Sequence, residues 1–66
     1  MIENDLQFRV TLVQLGRLLR ALESLQQEML PQNPQLFAAM SEGVLEDISR
    51  LRDELEAYSN ELAAAG

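Results

Sequence analysis

Two heptad stripes, separated by a single Pro31-Gln32-Asn33-Pro34 break, run the length of this chain and leave few folds open to it. Beyond the break, Phe37, Ser41, Val44, Ile48, Leu51, Leu55, Tyr58 and Leu62 recur at alternating steps of four and three residues. Before it, Phe8, Leu12, Leu15, Leu19, Leu22, Gln26 and Met29 do the same. Steps of that kind line one face of an α-helix that packs on another helix. The expected class is therefore all-α, a two-helix antiparallel hairpin of coiled-coil character, with residues 1–66 as one domain.

Local signals place the element ends. Pro31 stops the first helix, because its ring has no amide hydrogen and crowds the preceding turn. Asn33-Pro34 starts the second, an N-cap side chain followed by a residue whose fixed φ suits the first helical position. A connection of 31–33 leaves room only for an antiparallel return. These signals predict helix one over 12–30 and helix two over 34–64, with Gly66 a C-cap or the start of a linker. Residues 1–11 read two ways. Leu6, Phe8 and Val10 alternate with Gln7 and Arg9 as in a short strand, and Thr11 with Gln14 then forms a capping box; this reading is favoured. In the other, Asn4-Asp5-Leu6-Gln7 opens the helix, and Phe8 already fits the stripe.

Helix two, at about 45 Å, outruns helix one, at about 28 Å. Its overhang carries Leu55, Tyr58 and Leu62, which need cover from residues 2–10 or from another subunit. Leu18 and Leu25 widen the stripe of helix one beyond a two-stranded seam, as suits a helix with two neighbours. A chain of this size buries only about 60% of its unfolded surface. With no cysteine and no histidine to staple the fold, oligomerisation is the remaining device. A homodimer closing into a four-helix bundle is expected. Its packing interface comprises Leu12, Leu15, Leu18, Leu19, Leu22, Leu25 and Met29 from helix one, with Phe37, Val44, Ile48, Leu51, Leu55, Tyr58 and Leu62 from helix two.

Some positions carry two readings. Tyr58 suits an interface or the bundle core equally. Met29 and Met40 either fill gaps near the turn or offer adaptable surface to a partner. Gly16 is a tolerated glycine or a point of close helix approach. Gln26 and Ser41 put polar groups into the stripes near the turn, where such residues can fix register. Glu46–Arg50, Arg50–Glu54 and Arg52–Glu56 are spaced for weak ion pairs on an exposed face.

Charge narrows the partners. Five arginines stand against eleven acids, a net charge of −6. Residues 1–33 hold three arginines and four acids (−1), and residues 34–66 hold two arginines and seven acids (−5). An acidic module without lysine repels a phosphate backbone and an anionic membrane surface, so direct nucleic-acid and membrane binding are not expected. The outer face of helix two, with Glu42, Glu46 and Asp53, is instead expected to meet a basic protein surface. Met1-Ile2-Glu3-Asn4-Asp5 is acidic where a secretory signal is basic, and the lack of cysteine fits a reducing compartment. A cytoplasmic location is expected.

Catalysis is excluded on residue types. Histidine, cysteine, lysine and tryptophan are absent, which removes the usual bases, thiols, Schiff-base formers and soft metal ligands. Ser41, Ser49 and Ser59 have no activating partner. Glu42 and Glu46 fall far short of the six to eight oxygens that calcium needs. Gly16, Gly43 and Gly66 are isolated and make no phosphate loop. No catalytic residue, cofactor site or metal site is expected.

The opening Met1-Ile2-x-Asn4-x-x-Gln7-Phe8-Arg9-Val10-Thr11-x-x-Gln14 and the closing Leu45-Glu46-Asp47-Ile48-x-x-Leu51-Arg52-Asp53-Glu54-Leu55-x-x-Tyr58 resemble the N-terminal helical hairpin of bacterial repressor-like helix-turn-helix regulators and antitoxins. In that family the hairpin precedes a DNA-binding domain, to which residues 1–66 have no counterpart. The resemblance therefore implies the hairpin's own work: dimerising, and holding a partner such as a basic, RNA-directed toxin. A stand-alone structural adaptor in a multiprotein assembly is the alternative.

Overall fold

The computed structural model describes residues 2–65, so the reading of Gly66 as a cap or linker start lies outside the described residues. Two helices, α1 (Asp5–Glu28) and α2 (Pro34–Ala65), pack as an antiparallel hairpin that forms a rod of 49 × 15 × 14 Å. No strand occurs among the described residues.

The strand expected at the amino end is not formed, and α1 begins seven residues before Leu12, at Asp5. Asn4 is its N-cap: extended at φ −153° and ψ 171°, it accepts the Gln7 amide on Oδ1 at 2.9 Å. Gln7 reaches back with Oε1 to the Glu3 amide at 2.6 Å, so two amides that the helix leaves open are satisfied reciprocally. Thr11, the favoured cap from sequence, instead donates its hydroxyl to the Gln7 carbonyl one turn earlier at 2.8 Å. The period-two alternation of Leu6, Phe8 and Val10 misled because residues two apart diverge by about 200° on a helix. Only Phe8 of the three turns toward α2, while Leu6 and Val10 are exposed.

At the other end α1 stops at Glu28, two residues short of the expected end. Pro31 has no amide hydrogen with which to carry the ladder on. The Met29 amide closes the last helical bond to Leu25 O at 2.8 Å. The Met29 carbonyl then accepts both Gln32 N (3.1 Å) and Asn33 N (2.7 Å), which folds the chain back with no positive φ. Asn33 caps α2 by accepting the Leu36 amide at 3.0 Å, with Pro34 first in the helix.

The seam between the helices is thin. Ile2, Ile48, Leu51 and Tyr58 are its buried apolar residues, joined by the hydroxyls of Thr11 and Ser41. Ser41 donates to the Ala38 carbonyl at 3.3 Å, so each of these two hydroxyls is absorbed by its own helix. Gln26 is exposed and takes no part in a polar pair with Ser41.

On α2 the inner rank is the sequence stripe itself from Phe37 to Tyr58. On α1 it is rotated from the expected one. Phe8, Thr11, Leu15, Leu18, Leu22, Leu25 and Met29 face the seam, whereas Leu12, Leu19 and Gln26 lie outside it. The apolar arc of α1 is wider than one neighbour can cover, and adjacent pairs such as Leu18-Leu19 give sequence no way to choose the inner member.

The overhang of α2 is covered from within the chain. The early start of α1 places Phe8 against Tyr58, with ring centroids 5.4 Å apart at a 40° tilt. The Tyr58 hydroxyl donates to Asp5 Oδ1 at 3.3 Å. Leu55 is half-buried beside this contact, and only Leu62 projects beyond it, exposed.

Candidate interaction surface

Successive helical residues turn by about 100°, so Leu12 and Leu19 project to one side of the inner rank of α1, and Leu45 to the same side of α2. The Phe8–Tyr58 contact fixes the antiparallel register and sets Leu19 level with Leu45 to within a turn. All three leucines are uncovered, at 45%, 49% and 49% exposure. Half-buried Leu15, Leu22 and Leu55 lie beside them and extend the apolar strip along the rod.

Of the expected interface residues, Ile48, Leu51 and Tyr58 are buried inside the hairpin. Leu15, Leu18, Leu22, Leu25, Met29, Phe37, Val44 and Leu55 are half-buried there, and Leu12, Leu19 and Leu62 are exposed. Sequence reading missed Ile2 and Thr11, both buried. Thr11 had a signal, since it completes the alternating steps Phe8, Thr11, Leu15, Leu18 on the inner side; Ile2 had none.

The outer edges differ in charge. Arg9, Arg17 and Arg20 line the back of α1, around exposed Val13, and Glu42, Glu46 and Asp53 are exposed along the back of α2. One of the ion pairs expected on α2, Glu46–Arg50, is replaced. Arg50 turns to Asp47 at 3.5 Å and not to Glu46, because the i,i+3 position on its own flank lies nearer. Both groups are exposed, so the pair contributes little to stability.

The opposite side of the rod carries a shallow groove of about 280 Å³ lined by Ile2, Leu6, Gln7, Val10, Thr11 and Glu54. A second depression lies along α2 at Arg52, Leu55, Glu56 and Ser59. Neither gathers a nucleophile with a base. Among the described residues no cluster of three or more acidic side chains is placed to hold a metal ion, and no helix is long and apolar enough to cross a membrane.

The fold shifts the proton affinity of Tyr58. Burial raises its phenol above the ordinary tyrosine value, and the nearby Asp5 charge, the hydrogen bond to that carboxylate and the Glu61 charge push the same way. The effect is a neutral hydroxyl held on Asp5, a clasp between the start of α1 and the last third of α2. No protein family, curated protein or solved structure matches this chain.

Proposed function

We propose that this hairpin is a non-enzymatic dimerisation and protein-interaction module, working in the cytoplasm as part of a bacterial transcriptional regulator or antitoxin. The observation that carries the first half is surface area. The hairpin exposes 5122 Å², whereas a compact monomer of 7.4 kDa exposes about 4,200 Å². The excess of about 900 Å² is close to what one partner contributes to a standard protein interface. Leucines at positions 12, 19 and 45 are the natural content of such an interface, and its closed form is a four-helix bundle.

The second half rests on the resemblance of the opening and closing segments to regulator and antitoxin hairpins. Charge supports it: the exposed Glu42, Glu46 and Asp53 edge favours a basic protein partner and disfavours direct contact with nucleic acid. Sedimentation of the chain tests the dimer, with an expected mass of about 15 kDa, twice that of the 7.4 kDa chain. A monomer mass at every concentration, with cooperative melting that ignores concentration, refutes it.

A further inference from the structure

Granting the dimer, its geometry is open in one respect. A second hairpin can lie on the Leu12–Leu19–Leu45 face in two symmetric ways. In one, α1 covers the partner's α1 and α2 the partner's α2, with the turns at opposite ends. In the other, α1 covers the partner's α2, and both turns lie at the same end. We infer that a second copy of this chain occupies this face in the crosswise, turns-together arrangement; the inference rests on the dimer reading above and adds its face and orientation.

Two independent observations select the orientation. The first is charge. α1 is neutral, with Arg9, Arg17 and Arg20 against Asp5, Glu23 and Glu28, while α2 carries seven acids against two arginines, a balance of −5. Like-on-like stacking sets two helices of −5 side by side at the 8–10 Å separation of packed helices. Crosswise stacking moves them to the diagonal and gives each acidic helix two neighbours that carry arginine. Glu42, Glu46 and Asp53 lie on the back of α2, so the repulsion acts between whole helices and is screened by salt, and it disfavours the first arrangement.

The second observation is the height of the leucines. Leu19 and Leu45 are level on the same face of one hairpin, so crosswise stacking lays Leu19 of each chain on the partner's Leu45, twice by symmetry. Leu12 then meets the aliphatic stem of Arg52 from the partner. Like-on-like stacking inverts the heights, and no register then covers all three: an axis level with Leu19 and Leu45 lays each on its own copy but leaves Leu12 over the partner's Gln26, and an axis midway between Leu12 and Leu19 leaves Leu45 over the partner's Glu56.

The face itself is chosen by continuity. The other exposed large apolar residues are Leu6, Val10 and Val13 toward the amino end of α1, Leu30, Leu36 and Met40 around the turn, and Leu62 near the end of α2, separated along the rod. Leu12, Leu19 and Leu45 span both helices near mid-length, where one footprint reaches them all.

Spin labels on Gln32→Cys decide the orientation. Gln32 is exposed in the turn, and the chain has no other cysteine. Turns-together stacking gives an inter-label distance below about 30 Å, since the two layers sit 8–10 Å apart. Turns-opposed stacking gives a distance of about 35 Å or more, up to the 49 Å length of the rod when the two hairpins overlap fully. Sedimentation of the labelled protein runs beside it. A dimer with the short distance supports the inference, and a dimer with the long distance overturns it while leaving the dimer reading intact. A monomer overturns both, and then the face belongs to a different protein. Leu45→Glu and Val13→Glu test the face: the first is expected to yield a helical monomer and the second to remain dimeric, and the reverse pattern overturns the choice of face.

Discussion

Leu51→Ala separates the inner rank from the outer one. Leu51 is 6% exposed and lies mid-hairpin, at the height of Thr11 and Leu15. Truncating a fully buried leucine costs about 2–5 kcal/mol, depending on how far the surroundings collapse into the space. Here the neighbours include half-buried Leu15, Leu18 and Leu55, which can relax, so the lower part of that range applies, about 2–3 kcal/mol. A chain of this size unfolds with an entropy of about 0.14 kcal/mol/K, so the melting temperature is expected to fall by about 14–21 °C. Leu19→Ala gives the contrast. Leu19 is half-covered in one hairpin, so its loss costs about 1 kcal/mol in the monomer. Covering by a second copy adds to that cost as protein concentration rises. Glu56→Ala, exposed on α2, is expected to stay within about 0.5 kcal/mol. Circular-dichroism melts at low and high protein concentration measure all three. A Leu51 shift no larger than the Glu56 shift refutes the assignment of the seam. A Leu19 shift equal to that of Leu51 in the dilute sample restores the stripe of α1 as sequence alone draws it.

Tyr58 predicts an alkaline limit: its folded pKa is raised, so its stabilisation is complete below the ordinary tyrosine value near 10 and is lost as pH rises through the folded value. As the only tyrosine, it can be followed directly by phenolate absorbance, and Tyr58→Phe should abolish that pH dependence; an unchanged alkaline midpoint in the variant rules out the clasp. Gly43→Ala should stabilise by about 0.5–1 kcal/mol, because a methyl group there meets nothing within 4 Å and glycine disfavours a helix interior; a lowered melting temperature would contradict that. Asn4→Ala should cost about 1 kcal/mol by removing the cap of α1, whereas a cap at Thr11 would leave the variant unaffected in thermal melts. Reversing Glu42, Glu46 and Asp53 to lysine should slow association with a basic partner several-fold while sparing the hairpin, read as association rate against salt; a salt-independent rate would remove the charge argument.

The helical hairpin was legible in the sequence because its signals are local and redundant. Asn33-Pro34 and Pro31 act within a turn of where they stand, and between Ser41 and Tyr58 the α2 stripe is flanked by polar or small residues apart from Leu45. The amino end was not legible, since two competent caps, Asn4 and Thr11, lie seven residues apart. What favours Asn4 is contact distant in sequence: Phe8 and Asp5 reach Tyr58 only if the helix starts early. The candidate surface was half legible. Sequence showed that α1 has more leucine than one neighbour needs, but Leu18-Leu19 and Thr11-Leu12 offer either member to the seam, and only the register of the hairpin selects one.

That selection places hydroxyls where leucines would serve a solitary hairpin better. Thr11 and Ser41 are buried and use their hydrogen bonds on their own helices, while Leu12, next to Thr11, is 45% exposed. Exchanging Thr11 and Leu12 would bury more apolar area in one chain and expose less. A hairpin shaped for its own stability would favour that order, because burial of apolar surface is the main stabilising term available to a chain this short. The observed order sacrifices some internal burial and keeps a row of leucine on the outer flank, level with Leu45 across the seam. Outer leucines contribute to the stability of this fold only when covered. The seam and the flank are thus two ranks of one apolar arc on α1, the first closed by α2 and the second exposed in this hairpin.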